Sequence, residues 1–162
     1  MKNKKVIILG SSRSGGNTSK VISTISEKNN IDVIDLNKYK FSYYDYESKN
    51  LDDDFLPLIT SIIEKYDTLI FATPVYWYNM SGIMKVFFDR FSDLIRVEKE
   101  TGRKLKGKNM FVISNSHSDT IEKSFYIPFQ KSADYLGMNY TGELHLNADK
   151  INDFNNIELT QL

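Results

Sequence analysis

The sequence predicts an α/β protein built on a doubly wound, five-stranded parallel sheet. Three observations predict it. Apolar runs of strand length alternate with runs of helical period four times over, and the series ends on a strand. Such alternation feeds a parallel sheet with helices on both faces. The length, 162 residues, suits one domain spanning 1–162 with a single core, and no linker, repeat or low-complexity segment divides it.

The elements follow in order. "KKVIILG" reads as a buried strand, a continuous β-branched run stopped by Gly10. From Asn17 to Asn29, Val21, Ile22 and Ile25 fall on one helical face. "IDVIDL", Ile31 to Leu36, is the second strand. "DDDFLPLITSIIEKY" opens with three acids, favourable at a helix start, and carries Phe55, Leu58, Ile59, Ile62 and Ile63 at helical spacing. Pro57 then sits early in that helix, where proline is best tolerated. "DTLIFAT" is strand three, and "SGIMKVFFDRFSDLI" a helix over 81–95 with Ile83, Val86 or Phe87, Phe91, Leu94 and Ile95 inward. "KNMFVIS" is strand four. "DTIEKSFYIPFQKSADYLG" reads as a helix bent at Pro128 and capped by Gly137. "NYTGELHLN" is strand five, and 151–162 leave room for a helical turn or two. "RKLKGKN" reads as a solvated lead-in to strand four.

Composition removes several classes of function. Lys plus Arg and Asp plus Glu are balanced at 21 each, so nothing draws the chain to nucleic acid or a membrane surface. No cysteine is present, which excludes disulfides, a thiolate nucleophile and zinc–thiolate or iron–sulfur sites. With His117 and His145 far apart, a histidine metal site is not expected. Without a secretory h-region or long apolar run, the expected location is the cytoplasm. Ten Tyr and ten Phe are the one oddity, with Tyr crowded into two places.

Ligands of such sheets lie outside the carboxyl ends of the strands. The loops to examine are Ser11–Thr18, Thr73–Asn79 and Ser114–Asp119. The first runs from strand to helix, so backbone N–H groups and the helix dipole favour an anion. The side chains of Ser11, Ser12, Arg13, Ser14, Asn17 and Thr18 add donors, and Gly15 and Gly16 allow close approach and positive φ. The P-loop fails because Gly16 stands where Lys is required, and the dinucleotide fingerprint fails because Ser12 stands where Gly is required. A terminal phosphomonoester remains, beside the plainer alternative of a turn in which Asn17 or Thr18 merely caps a helix. In the second loop Pro74 sets the direction and Tyr76, Trp77 and Tyr78 suit stacking beside a planar ligand or packing against another surface. Ser81 is the expected cap of the following helix. In the third loop Ser114, Asn115, Ser116 and His117 are polar candidates, and Ser118 or Asp119 could cap the next helix. His117 is either a ligand donor or an ordinary turn residue, while His145 reads as structural.

"GSSRSGGNT" and "TPVYWYNMSGIMKVFFDR", about sixty residues apart, together resemble the NAD(P)H-dependent FMN reductase family of flavodoxin-fold proteins. The family's pattern is roughly G-S-x-R-x-x-G-N-T, then P-x-Y-aromatic leading to a helix with K-x-aromatic-x-D-R. The resemblance implies a flavodoxin-like three-layer sandwich with strand order 2-1-3-4-5. It implies FMN as cofactor, with the phosphate on Ser11, Arg13, Asn17 and Thr18 and the backbone of Ser12 and Gly16. It places the isoalloxazine edge on Pro74, Val75, Tyr76, Trp77 and Tyr78, and the third loop beside the pyrimidine or ribityl side. NAD(P)H is then the co-substrate of a ping-pong hydride transfer to a small-molecule acceptor: a flavin, quinone, nitro- or azo-aromatic, or metal complex. No side chain is needed as a catalytic acid.

Lys85, Asp89 and Arg90 match family positions whose role is structural or at the interface of a homodimer or homotetramer. The segment Tyr39–Tyr46 stands where some relatives hold an iron–sulfur centre; without cysteine it becomes either an overhang on a neighbour's flavin or a partly ordered loop. Beside many relatives the resemblance also implies a last helix that is abbreviated or missing. Two rivals stand beside the enzyme: a flavodoxin-type electron carrier, disfavoured by the neutral charge, and an interaction module that binds no flavin.

Overall fold

The computed structural model describes residues 3–150 and 157–159. The chain runs β1 (Lys5–Leu9), α1 (Asn17–Asn29), β2 (Asp32–Asp35), α2 (Phe55–Lys65), β3 (Thr68–Pro74), α3 (Gly82–Asp89), α4 (Phe91–Arg96), α5 (Lys99–Arg103), β4 (Asn109–Ser116), α6 (Ile127–Leu136) and β5 (Asn139–Asn147). Short 3-10 turns occupy Leu36–Lys38 and Lys123–Tyr126. All strand pairs are parallel, in the order β2-β1-β3-β4-β5. This is the flavodoxin-like order, and its direction reverses at β1, so the crevice opens between the loops after β1 and β3.

The pleat sorts the core. Val6 and Ile8 of β1 face Ile59, Phe87, Leu94 and Phe129 from α2, α3, α4 and α6. Ile7 and Leu9 face Val21, Ile22 and Ile25 of α1. Strand β5 is an edge strand whose alternate residues Asn139, Thr141 and Glu143 are exposed. Among the described residues no helix is long and apolar enough to cross a membrane. The helical turn expected over 151–162 lies outside the described residues, apart from 157–159.

The long helix expected over 81–95 is divided at Arg90 into α3 and α4. Phe87, Phe91 and Leu94 are buried on the expected inner face, whereas Met84 is buried and Ile95 exposed against expectation. Arg90 itself is fully buried. Its Nη1 donates to Asp53 Oδ2 at 2.5 Å and to the Ser42 carbonyl at 3.1 Å; Nε donates to Asp93 Oδ2 at 2.6 Å. Nη2 reaches the Asn50 carbonyl at 3.3 Å, and the guanidinium lies 4.8 Å from the Phe55 ring centroid. A buried cation needs such partners, since desolvation costs several kcal/mol per ion. The Tyr-rich segment is therefore pinned to its own chain, with Asn50 Nδ2 also donating to Ser42 Oγ (2.7 Å) and Tyr43 O (2.8 Å). Lys85 and Asp89 form an exposed pair at 2.5 Å.

The helix expected over 119–137 starts later than expected. Residues 119–122 are irregular, α6 begins at Ile127, and Pro128 falls in its first turn, where its missing N–H costs nothing. Neither Ser118 nor Asp119 caps it. Asp119 instead accepts from Asn147 Nδ2 (2.8 Å) and Lys150 Nζ (2.6 Å). Gly137 ends the helix in the left-handed region, as expected.

Arg90→Ala should destabilise the fold by about 3–5 kcal/mol in urea unfolding, because two carboxylates lose their buried partner. Lys85→Ala should stay within about 0.5 kcal/mol, as for other exposed pairs.

Candidate functional site

The first loop and the second are fastened together beneath the crevice. Ser81 Oγ donates to the Gly10 carbonyl at 2.6 Å and accepts the Met84 N–H at 3.3 Å, the expected N-cap of α3. The Ser81 N–H donates to Thr73 Oγ1 at 3.0 Å. Gly10 permits this approach: a Cβ there would lie 2.8 Å from Met84 Cε and 2.9 Å from Met84 Cβ. Gly16, not Asn17 or Thr18, is the N-cap of α1, and no side chain caps that end. Its φ of −77° shows that the glycine pair is not needed for positive φ. The first-turn amides of α1 thus point out of the helix unpartnered by a cap, with the positive end of the dipole behind them.

These amides meet a cleft of about 150 Å³ lined by Ser11, Arg13, Gly16, Asn17, Thr18, Pro74, Val75, Tyr76, Asn115, Ser116, His117 and Ala148. All three sequence-predicted loops contribute. Larger hollows of 630, 620 and 650 Å³ lie over α2, between α5 and the end of α6, and at the amino-terminal edge of the sheet. None of those sits at the carboxyl ends of the strands. Arg13 forms no ion pair with another described residue. Ser11 is buried, and its carbonyl accepts from the Asn37 amide, a support that sequence patterning does not reveal.

Three predicted residues sit on the rim. Ser12 Oγ is 3.2 Å from Tyr76 Oη, bridging the first two loops. Trp77 and Tyr78 are 93% and 82% exposed. Tyr76 and Asn79 exchange both backbone hydrogen bonds, at 2.9 and 3.0 Å, so Trp77 and Tyr78 form a two-residue hairpin turn. Both have positive φ, 49° and 63°. Such turns favour Asn-Gly, and bulky residues there carry about 1–2 kcal/mol of strain each. Strain of this kind clusters at ligand-holding segments.

Ser114 does not reach the cleft. Strand β4 continues to Ser116, so the pleat turns the Ser114 side chain inward, where it meets Tyr126 Oη (2.6 Å) and His145 Nδ1 (2.8 Å). Asn115 is buried at the floor of the cleft. Its Oδ1 accepts from Thr18 Oγ1 (3.0 Å), its Nδ2 donates to the Leu146 carbonyl (3.0 Å), and its carbonyl accepts the Val75 N–H (2.9 Å). His117 Nδ1 lies 2.9 Å from Asp149 Oδ1 at the exposed mouth.

The sequence profile of the NADPH-dependent FMN reductase family matches residues 3–152. The chain belongs to that family. A Bacillus subtilis (strain 168) relative, YwqN, provisionally named an NAD(P)H-dependent FMN-containing oxidoreductase, is 28% identical over 149 residues, 86% of this chain and 82% of its own. Among solved structures, the Trp repressor binding protein of Bacillus subtilis superposes with a TM-score of 0.70 at 25% identity, over 93% of this chain and 92% of that one. The FMN-dependent NADH-azoreductase of Bacillus anthracis, solved with FMN, gives 0.66 at 15% identity over 94% of each chain; this likeness concerns the fold. As a member of the FMN reductase family, the chain is an oxidoreductase whose cofactor is FMN and whose reductant is NAD(P)H.

Replacing Trp77 or Tyr78 by Gly should relieve the positive-φ strain while adding unfolded-state entropy. The expected net gain is about 0.5–1 kcal/mol each in chemical denaturation. A loss of stability would show that these rings pack rather than merely protrude.

Proposed function

We propose that this chain binds FMN across the three loops and works by a ping-pong mechanism. Reduced nicotinamide and an acceptor (a flavin, quinone, nitro- or azo-aromatic, or metal complex) take turns at one exposed face. The observation that carries this reading is the convergence of the uncapped α1 terminus, Arg13 and the Tyr76–Tyr78 hairpin on one cleft. When bound, FMN supplies the redox chemistry, accepting a hydride from NAD(P)H and delivering two electrons onward.

The residues fit the group. A phosphate suits the α1 amides, with the Arg13 guanidinium and the Asn17 amide as charged and neutral donors. The Ser12 and Gly16 backbone completes the cradle. At 150 Å³ the enclosed space suits a phosphate and ribityl chain rather than a whole flavin, since sites that enclose drug-sized ligands run to roughly 300–1,000 Å³. The ring would then lie on the open shelf formed by Pro74, Val75 and Tyr76, walled by Trp77 and Tyr78. Ser116 and His117 would border the ribityl or pyrimidine side. An open shelf suits exchange of two substrates better than the docking of a protein carrier.

The rim aromatics also favour a homodimer or homotetramer, because two rings so exposed are seldom left bare. Light scattering gives the oligomeric state directly.

The test of function is simple. Purified protein reconstituted with FMN should be yellow, and NADPH or NADH should bleach it within the mixing time of a stopped-flow instrument. Yellow protein that resists bleaching would indicate an electron carrier, and failure to take up FMN would refute the reading. For the site, Arg13→Ala and Asn17→Ala should weaken FMN by roughly tenfold or more, as expected for hydrogen bonds to a charged group. Riboflavin, which lacks the phosphate, should bind both variants and the parent alike. Equal loss of both ligands would contradict the phosphate assignment.

A further inference from the structure

The polar chain behind the third loop, buried at Ser114 and Tyr126 and half-buried at His145, has a direction that its chemistry dictates. His145 on β5 places Nε2 at 3.1 Å from the Ser118 carbonyl and at 3.1 Å from Ser116 Oγ, while Nδ1 is 2.8 Å from Ser114 Oγ. A carbonyl only accepts, so the proton of the neutral ring resides on Nε2. Nδ1 is then bare and accepts from the Ser114 hydroxyl, which in turn accepts from Tyr126 Oη at 2.6 Å. Tyr126 is buried, and burial pushes its pKa above the ordinary value, so it remains a donor.

Ser116 Oγ accepts the Ser118 N–H at 3.1 Å and shares the single His145 Nε2–H with the Ser118 carbonyl, so one ring nitrogen holds both ends of the turn after β4. Ser116 lines the cleft. We propose that His145 is a positioning residue for the flavin site: through Ser116 Oγ and the Ser118 carbonyl it fixes the third loop against the bound FMN. The proposal rests on the FMN reading above, and its failure is separable from the failure of that reading.

Protonation of His145 opposes this arrangement. A proton on Nδ1 would face the hydrogen of the Ser114 hydroxyl. Reversing that hydroxyl would leave Tyr126 Oη receiving a hydrogen bond and its own hydrogen without the Ser114 acceptor. Burial lowers the pKa of His145 from its ordinary 6.5, offset by the Ser118 carbonyl and the charge of Asp119. The other charged groups around it are paired: Asp119 with Lys150, and Asp149 with His117. The sign follows. Loss of FMN affinity follows the pKa of His145 in the folded, flavin-free protein, which burial already holds below 6.5, so the decline sets in on the acid side of that value.

The experiment is a fluorescence-quenching titration of the full-length, flavin-free protein with FMN between pH 4.5 and 8. His145→Ala and Ser116→Ala should each weaken FMN about three- to tenfold at neutral pH, the size of one lost hydrogen bond. The double variant should be no weaker than the weaker single, because one acts through the other. His145→Gln, which can still accept and donate, should restore neutral-pH affinity to within about threefold while losing the acid-side decline that His145 adds. Ionisation of the FMN phosphate is common to every variant and so cancels in the comparison. Additive losses, or parallel pH profiles for His145→Gln and the parent, would overturn the proposal while leaving FMN binding intact. Absence of FMN binding by the parent would overturn both. If His145→Ala fails to fold, the His145→Gln pH comparison decides.

Discussion

The carboxamide of Asn115 holds the candidate site together. One buried side chain accepts from Thr18 in α1 and donates to Leu146 in β5, while its own carbonyl takes the Val75 N–H after β3. Three loops that are distant in sequence thus share one residue at the floor of the cleft. A buried amide is costly when its groups lack partners and specific when all are paired. With its side-chain oxygen and nitrogen both bonded, Asn115 fixes the relative placement of the loops that would hold phosphate, ring and ribityl chain. The second fastening, Ser81 to Gly10 and Thr73, works from the opposite side of the crevice.

Around that node the rigid and strained parts divide the labour. The sheet and α1 supply a fixed, uncapped helix start, while the Tyr76–Asn79 hairpin supplies an exposed aromatic edge in an unfavourable backbone region. The buried Arg90 cluster lies apart from the cleft and secures the Tyr-rich segment to the helical layer. Its role in this chain is architectural, in keeping with one of the two readings that the family resemblance left open.

Much of this was legible in the sequence because the governing signals are local. Continuous apolar runs marked β1 and β3, and strand-to-helix loops rich in small polar residues marked the candidate site. What escaped depends on distant partners or on strand length. The resemblance left Arg90 either structural or interfacial, and its partner Asp53 stands 37 residues earlier, beyond the reach of local patterning. Ser114 looked like a loop residue because β4 runs two residues beyond the expected end, and that extension turns its side chain inward. The hairpin was invisible because Trp-Tyr contradicts the turn preferences from which hairpins are read. Pro128 suggested a bend, whereas the helix simply begins there.

Amide hydrogen exchange with and without FMN tests the three-loop site most directly, since slowed exchange reports which backbone groups the ligand covers or stills. The site predicts protection concentrated at residues 11–19, 74–79 and 115–118, with the amino-terminal edge of the sheet unchanged. Protection elsewhere, with these three loops unaffected, would contradict it.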